Sequence, residues 1–153
     1  MSEAQREKQR VLFICVHNSG RSQIAEAFLK ALARDQFEVE SAGLDPTQIQ
    51  PLVVEAMRES GMDLSKHRAQ SVFDLYKEGK LFDYVITVCD ASTEKQCPLF
   101  PGVTQRLNWP FDNPEAFEGT HDERLAQVRR LRDEIKAKIE EWIGTLRLNE
   151  QSR

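Results

Sequence analysis

Short apolar runs alternate with helical patterns in the first part of the chain. Residues 11–15 (VLFIC) are continuously apolar, which is typical of a strand buried on both faces of a parallel sheet. Apolar residues then repeat at helical spacing through 22–33, which predicts a helix. A second strand is predicted at 37–41, where it is ended by an alanine and a glycine.

Two more helices and two more strands are predicted in the middle of the chain. A helix at 51–60 begins with a proline and is followed by a glycine, which favour a helix start and a helix end respectively. A shorter helix is expected at 72–77. The run 84–88 (YVITV) is rich in β-branched and aromatic residues and predicts a third strand, and 104–108 predicts a fourth.

The last predicted element is a long amphipathic helix. Thr120 and Glu123 have the spacing of a capping box, in which each side chain bonds the backbone of the other residue. Apolar residues follow at steps of three and four: Leu125, Val128, Leu131, Ile135, Ile139, Trp142 and Leu146. We therefore expect one domain over 11–147, with a disordered tail at 1–10 and a C-terminal tail at 148–153.

The alternation of strands and helices predicts an α/β fold. Right-handed crossovers between successive strands produce a four-stranded, parallel, doubly wound sheet with helices on both faces. Ligands of such sheets bind at the carboxyl ends of the strands. Cys15 and Cys89 each stand at the carboxyl end of a predicted strand, so we expect both to lie near one site.

Charge and hydropathy exclude some classes of function. The 153 residues carry a net charge of −4, which offers no basic face for a nucleic acid. No apolar run approaches the roughly 20 residues that a membrane-spanning helix needs, and the polar N-terminus has no apolar signal core. We expect a monomeric cytoplasmic protein that binds neither nucleic acid nor a membrane.

The three cysteines, Cys15, Cys89 and Cys97, are the first chemical signal in the sequence. An odd number argues against a static disulfide framework, and a reducing cytoplasm would keep all three as thiols. Their spacing contains no closely spaced cysteine pair of the kind that zinc sites use. We therefore expect no metal site and no cofactor.

Residues 15–22 (CVHNSGRS) join the first strand to the first helix and form a Cys-x5-Arg loop. Such a loop aims backbone N–H groups at one point, where the positive end of the helix also acts. Its glycine permits close backbone approach, and the Arg21 guanidinium can bind two oxygens of a tetrahedral anion. The predicted oxyanion-binding residues are Val16, His17, Asn18, Ser19, Gly20, Arg21 and Ser22.

Cys15 is the candidate nucleophile of this loop. The N–H groups, the helix end and the guanidinium favour its thiolate, and Ser22 can donate a hydrogen bond to the sulfur. Asn18 and Ser19 can brace the loop through bonds from side chain to backbone. His17 is expected to line the mouth of the pocket rather than to act as a base. The alternative is a buried structural cysteine before an ordinary turn.

Taken together, these motifs resemble those of the thioredoxin-coupled arsenate reductases. The similar segments are CVHNSGRSQIAEAF in the loop and first helix, ESAG at 40–43, the cysteines at 89 and 97, and WPFDNP at 109–114. That family shares the fold of the low-molecular-weight protein tyrosine phosphatases, so the resemblance implies this fold. The two additional cysteines favour a reductase over a phosphatase.

The resemblance implies a relay of three thiols that reduces arsenate to arsenite. Cys15 would attack arsenate and form a covalent thiol–arsenic adduct. Cys89 would then attack Cys15 and release arsenite, and Cys97 would attack Cys89 and carry the disulfide to the surface for thioredoxin. If the first and third strands are neighbours, they lie about 4.8 Å apart, which is close enough for a disulfide between the first two cysteines. The polar residues 90–96 could rearrange, as a relay requires.

The resemblance breaks down at the general acid. The family has an aspartate immediately before the proline of the WPFDNP segment, but Asn113 stands there and cannot deliver a proton as a carboxylic acid does. Either Asp112 takes the role through a shifted loop, or solvent protonates the leaving oxygen. Because arsenate is already partly protonated near neutral pH, the loss should impair arsenate reduction less than aryl phosphate hydrolysis.

Two other functions remain open. A phosphatase would use Cys15 as nucleophile through a phosphocysteine, Arg21 to hold the oxyanion and Asp112 as acid. The phosphatases usually place tyrosines after the Asp-Pro pair, whereas Glu115 and Ala116 follow the proline here, which weakens that alternative. A thiol redox sensor would keep the two additional cysteines but would not need the Cys-x5-Arg loop.

Overall fold

A parallel sheet forms the centre of the protein. The structure is a computed structural model that describes residues 8–90, 95–103 and 105–151. Within these residues the four strands are β1 (Gln9–Cys15), β2 (Phe37–Gly43), β3 (Tyr84–Thr87) and β4 (Gln105–Asn108). They are all parallel and are arranged in the order β2-β1-β3-β4. The predicted four-stranded parallel sheet is confirmed, with β1 and β3 as neighbours.

Helices cover both faces of the sheet. They are α1 (Arg21–Ala33), α2 (Pro51–Glu59), α3 (Val72–Lys77) and α4 (His121–Gln151), and Pro114–Ala116 forms a 3₁₀ turn. Buried apolar side chains of α1, α2 and α4 pack on one face, while those of α3 pack on the other. This arrangement confirms the predicted doubly wound architecture.

The central strand β1 is buried because both of its faces are covered. Val11, Phe13 and Cys15 belong to the apolar core shared with α1, α2 and α4, whereas Leu12 and Ile14 belong to the core shared with α3. A strand directs successive side chains to opposite faces, so two cores require a continuously apolar sequence. Cys15 is the last residue of this strand, at the edge of the first core.

Aromatic side chains hold α4 against the sheet. The centroid of the Trp142 ring lies 5.4 Å from that of Phe37, 5.2 Å from that of Tyr84 and 5.6 Å from that of Trp109. The last helix is thereby joined to β2, to β3 and to the residue that follows β4. Large aromatic rings bury much apolar surface, so these contacts stabilise the packing of α4.

The predicted capping box begins α4. The Glu123 N–H donates to the Thr120 hydroxyl at 3.1 Å, and the Thr120 N–H donates to the Glu123 carboxylate at 3.4 Å. The helix continues to Gln151, so the predicted C-terminal tail at 148–153 is wrong for residues 148–151. The apolar stripe marks only the turns that pack on the sheet, whereas backbone hydrogen bonds carry the helix beyond them.

The start of the domain also differs from the prediction. β1 begins at Gln9, inside the predicted tail at 1–10, because its first two residues pair with the start of β2. Both residues are polar and only partly buried, so an apolar pattern does not reveal that they belong to the strand. Residues 1–7, 104 and 152–153 lie outside the described residues.

The end of β2 lies against the chain that follows β1. A Cβ atom added to Gly43 would lie 2.7 Å from the carbonyl oxygen of Val16 and 2.8 Å from the backbone nitrogen of Asn18. Both neighbours are backbone atoms, which cannot swing aside as the end of a flexible side chain can. The absence of a side chain at this position therefore lets β2 support the loop after β1.

We expect Gly43→Ala to destabilise the protein by about 1–3 kcal/mol, because the added methyl group overpacks the loop backbone. The matched control is Gly144→Ala in α4, where a Cβ atom would meet nothing within 4 Å. The control should raise the free energy of unfolding by about 0.5–1 kcal/mol, because alanine favours a helix over glycine. Urea unfolding measures both changes. Equal stability of Gly43→Ala and the wild type would contradict the close approach.

Candidate active site

The loop between β1 and α1 has its carbonyl groups bonded to a neighbouring segment. Residues 44–50 run beside the loop, and their N–H groups donate at 2.8–3.2 Å to the carbonyl oxygens of Cys15, Val16, His17 and Ser19. These carbonyl dipoles are thereby turned away from an anion bound in the loop. The backbone N–H groups of the loop itself and the N-terminus of α1 are then suited to hold an oxyanion.

Asn18 determines the conformation of this loop. Its φ is 53°, a positive value that no other described residue except glycine adopts. Its side-chain amide donates to the hydroxyl oxygens of Ser22 at 2.7 Å and Ser41 at 3.0 Å. Its carbonyl oxygen accepts from the backbone N–H of Gln70 at 3.0 Å and from the Gln23 amide at 3.1 Å. These bonds offset the cost of the left-handed backbone.

A buried carboxylate extends this network into the fold. The Ser41 hydroxyl donates to Glu26 at 2.6 Å, and the Lys30 ammonium donates to the same carboxylate at 2.7 Å. Glu26 is 9% exposed, so its charge needs such partners. Through these bonds the loop, β2 and α1 hold one another in place.

The Cys15 sulfur accepts hydrogen bonds from the loop. The Asn18 N–H donates to it at 3.1 Å, and the Ser22 hydroxyl oxygen lies 2.8 Å away. Because that oxygen already accepts from the Asn18 amide, its own hydrogen is available to the sulfur. Two donors and the N-terminus of α1 therefore stabilise a thiolate at a position where only 2% of the residue is exposed.

Arg21 connects the loop to the segment that follows β4. It is the first residue of α1 and is 7% exposed. Its guanidinium donates to the carbonyl oxygen of Phe111 at 3.1 Å. A guanidinium has five N–H donors, so this bond orients the group and leaves other donors for an anion.

A small cavity lies above the Cys15 sulfur. Its volume is about 80 Å³, which suits a small anion rather than a drug-sized ligand. The lining residues come from the loop, from the start of α2 and from the 3₁₀ turn: Cys15, Val16, His17, Ser19, Gly20, Arg21, Gln50, Asn113, Pro114 and Glu115. Of the predicted oxyanion-binding residues, Asn18 and Ser22 lie behind the cavity wall and support the loop from within.

Asp112, the predicted acid, is exposed and is not among the lining residues described for this cavity. The neighbouring Asn113 lines the cavity, and its side-chain oxygen accepts from the Glu115 N–H at 3.0 Å. Among the lining residues Glu115 supplies the carboxylate. From the sequence, Glu115 stands only where the phosphatases usually place a tyrosine, and nothing in its local pattern indicates that it reaches the loop.

The Glu115 carboxylate is bound by two residues of the loop. One oxygen lies 2.8 Å from the His17 ring nitrogen Nδ1 and accepts from the Ser19 hydroxyl at 3.0 Å. Burial raises the pKa of this carboxyl, but the hydrogen bonds from His17 and Ser19 and the charges of His17 and Arg21 outweigh burial and lower it below its ordinary value. The group is therefore ionised at neutral pH. His17 lies at the cavity with its ring about one-third exposed.

Two of the three cysteines belong to one apolar core, and the third packs against the other core. Cys89 is buried with Cys15 in the core under α1 and α4, and its sulfur lies 4.0 Å from the carbonyl oxygen of Ile14. That carbonyl belongs to the peptide bond that precedes Cys15. Cys97 is partly buried against the opposite core, beside α3. Residues 91–94 of the predicted mobile segment lie outside the described residues.

No group of three or more His, Cys, Asp or Glu side chains in the described part of the chain is arranged to hold a metal ion. None of the described helices is long and apolar enough to cross a membrane.

Comparison with known proteins adds sequence and fold relationships. The profile of the low molecular weight phosphotyrosine protein phosphatases matches residues 10–152. An arsenate reductase of Shouchella clausii is 40% identical over 90% of this chain and 97% of that protein. The structure of a thioredoxin-dependent arsenate reductase of Corynebacterium glutamicum is 33% identical, with a TM-score of 0.70 over 95% of this chain and 65% of that one. A low molecular weight protein tyrosine phosphatase of T. tengcongensis is 23% identical and shares the fold. Its TM-score is 0.72 over 90% of this chain and 99% of that one.

The hydrogen bond from Ser22 to Cys15 leads to a test of thiol reactivity. We expect Ser22→Ala to slow alkylation of Cys15 by iodoacetamide at neutral pH about tenfold, because a hydrogen bond to a charged group stabilises it by roughly 1.5–3 kcal/mol. Mass spectrometry of the Cys15 peptide measures the rate. The control is Ser71→Ala, which removes a hydroxyl that caps α3. An unchanged rate in Ser22→Ala would show that the serine does not support the thiolate.

Proposed function

The chain belongs to the low molecular weight phosphotyrosine protein phosphatase family, and we propose that it is an arsenate reductase, which converts arsenate to arsenite in arsenic detoxification. The observation that carries the proposal is the position of Cys89, buried in the same core as Cys15 and beside the peptide bond that precedes it. An ester-hydrolysing pocket needs the loop nucleophile but has no use for a second thiol behind it. A reductase that resolves its own thiol–arsenic adduct needs both.

The first step is nucleophilic attack on arsenic. The loop N–H groups and Arg21 hold arsenate in the cavity, and the Cys15 thiolate displaces one oxygen to form a sulfur–arsenic bond. That oxygen leaves as water after it takes up a proton. The hydrogen bonds from Asn18 and Ser22 to the sulfur support this step, because they stabilise the thiolate before attack.

The second step transfers electrons to arsenic. The Cys89 thiol loses its proton and attacks the Cys15 sulfur, so a disulfide forms while the sulfur–arsenic bond breaks. The electron pair of that bond remains on arsenic, which is reduced from As(V) to As(III) and leaves as arsenite. Pairing of β1 with β3 supports this exchange, since adjacent strands end close to each other.

The third step moves the disulfide away from the loop. Cys97 attacks the Cys89 sulfur and releases the Cys15 thiolate, so the oxidised pair becomes Cys89–Cys97. Because Cys97 packs on the opposite side of the sheet from the other two cysteines, this exchange requires the chain between 89 and 97 to rearrange around the sheet edge. Such a movement also carries the disulfide outward, where a protein reductant can bind.

Thioredoxin is the proposed reductant, and the protein is proposed to act as a cytoplasmic monomer. Support for thioredoxin comes from the Corynebacterium glutamicum structure, which is of a thioredoxin-dependent arsenate reductase. The proton for the leaving oxygen comes either from Asp112 or from solvent. Asp112 would have to move toward the cavity, whereas solvent reaches an oxygen at the mouth of the cavity without any rearrangement.

Hydrolysis of phosphate monoesters through a phosphocysteine is the second candidate function. The same loop, nucleophile and guanidinium would serve it, and a phosphatase with this fold is among the similar structures. Glu115 at the cavity weakens this candidate, because an ionised carboxylate occupies the rim where an ester group would extend. The Cys-x5-Arg loop likewise disfavours a pure redox sensor, which would have no need for an oxyanion site.

The three-thiol relay predicts different losses for the two additional cysteines. Cys89→Ser should release no arsenite, because nothing then attacks the adduct on Cys15. Cys97→Ser should release one arsenite per protein without reductant and then stop, because the disulfide remains at the loop. Both variants should keep hydrolysis of para-nitrophenyl phosphate. Arsenite is measured with and without thioredoxin, and sustained wild-type turnover by either variant would exclude the relay.

Asp112→Ala tests the source of the proton. If Asp112 is the acid, aryl phosphate hydrolysis should fall by about 10²-fold or more, the usual contribution of a general acid. Arsenate reduction should fall less, because an arsenate oxygen is already partly protonated. Glu118→Ala, a charge loss on the same exposed segment, serves as control. Unchanged rates in both assays would assign the proton to solvent.

A further inference from the structure

An acidic side chain stands at the rim of a cavity that has to bind an anion. Glu115 lines this cavity together with the nucleophile Cys15 and the guanidinium of Arg21. Its carboxylate is held by His17 and Ser19, which belong to the oxyanion loop itself. A negative charge in this position repels an incoming anion, so its presence calls for a chemical reason.

Both the backbone and the side chain of Glu115 are held in place by neighbouring residues. The Asn113 side chain caps the 3₁₀ turn by accepting from the Glu115 N–H. The buried Pro114 packs on the loop so closely that a Cβ atom added to Gly20 would lie 3.0 Å from its ring. The turn and the loop therefore fix the position of Glu115 at the cavity.

An ionised carboxylate can only accept hydrogen bonds. An oxyanion without a proton presents only lone pairs to it, so the two groups repel each other. An oxyanion that carries a hydroxyl group can turn that hydroxyl toward the carboxylate and donate a charge-assisted hydrogen bond. A carboxylate beside an anion site therefore distinguishes tetrahedral anions by whether they carry a proton.

From this geometry we infer that Glu115 is a specificity-determining residue of the oxyanion site. It accepts a hydrogen bond from a protonated oxygen of arsenate or phosphate and disfavours tetrahedral anions, such as sulfate, that have no proton at neutral pH. The inference rests on the proposed function, since it names the protonation state in which the substrate binds. The ionised form of Glu115 suits this role, because only the charged carboxylate is purely an acceptor.

The test is equilibrium binding of inorganic phosphate and of sulfate to the Cys15→Ser protein at neutral pH. These two anions are alike in shape, and without the nucleophile neither can react, so calorimetry reports binding alone. We expect phosphate to bind more tightly than sulfate. Glu115→Gln in the same background should reduce this preference about tenfold to hundredfold, because the amide can donate to sulfate and because a charge-assisted hydrogen bond is lost.

The matched control is Glu118→Gln, which removes an exposed charge three residues away and should leave the preference unchanged. Equal binding of the two anions by the Cys15→Ser protein would overturn the inference. So would a Glu115→Gln variant in which both affinities change by the same factor, because Glu115 would then only hold the turn against the loop. A failure to reduce arsenate would leave this binding measurement intact, so the inference and the proposed function can fail separately.

Discussion

The site depends on the left-handed conformation of Asn18 and on the four side-chain hydrogen bonds that maintain it. An asparagine in this conformation turns the loop tightly enough that its own N–H reaches back to the Cys15 sulfur. The same side chain bonds Ser22, whose hydroxyl then serves the sulfur as a second donor. A nucleophile in a buried position is ionised only if such donors replace water, so this one residue links loop shape to reactivity.

The loop is closed from outside by residues far away in the sequence. Gly43 allows the end of β2 to support the loop from below, and Arg21 binds the segment after β4 through Phe111. Glu115 joins the same segment to His17 and Ser19. A cavity with these walls is preorganised for a small tetrahedral anion, since its donors are already oriented before the anion arrives. The carboxylate then adds selectivity to what is otherwise a site for any such anion.

The fold places the thiols in an order that suits a relay. A parallel sheet ends its neighbouring strands at one edge, which brings Cys89 to the core that already contains Cys15. Cys97 packs on the other side of the sheet, so oxidation cannot reach it without movement of the chain. In the proposed relay this separation has a chemical use, because arsenic would be reduced in the buried site and the disulfide would then move to the more exposed Cys97.

The sequence by itself determined the order of strands and helices, the parallel sheet and the loop that holds Cys15 and Arg21. These follow from local patterns: apolar runs, helical spacing, a capping box and a motif of eight consecutive residues. Only the tertiary structure revealed that Glu115 reaches the loop, that Asn113 rather than Asp112 lines the cavity and that Cys97 packs on the opposite face. The reason is physical. Each of these facts depends on how segments far apart in the chain pack together, and the residues near them in sequence carry no sign of that packing.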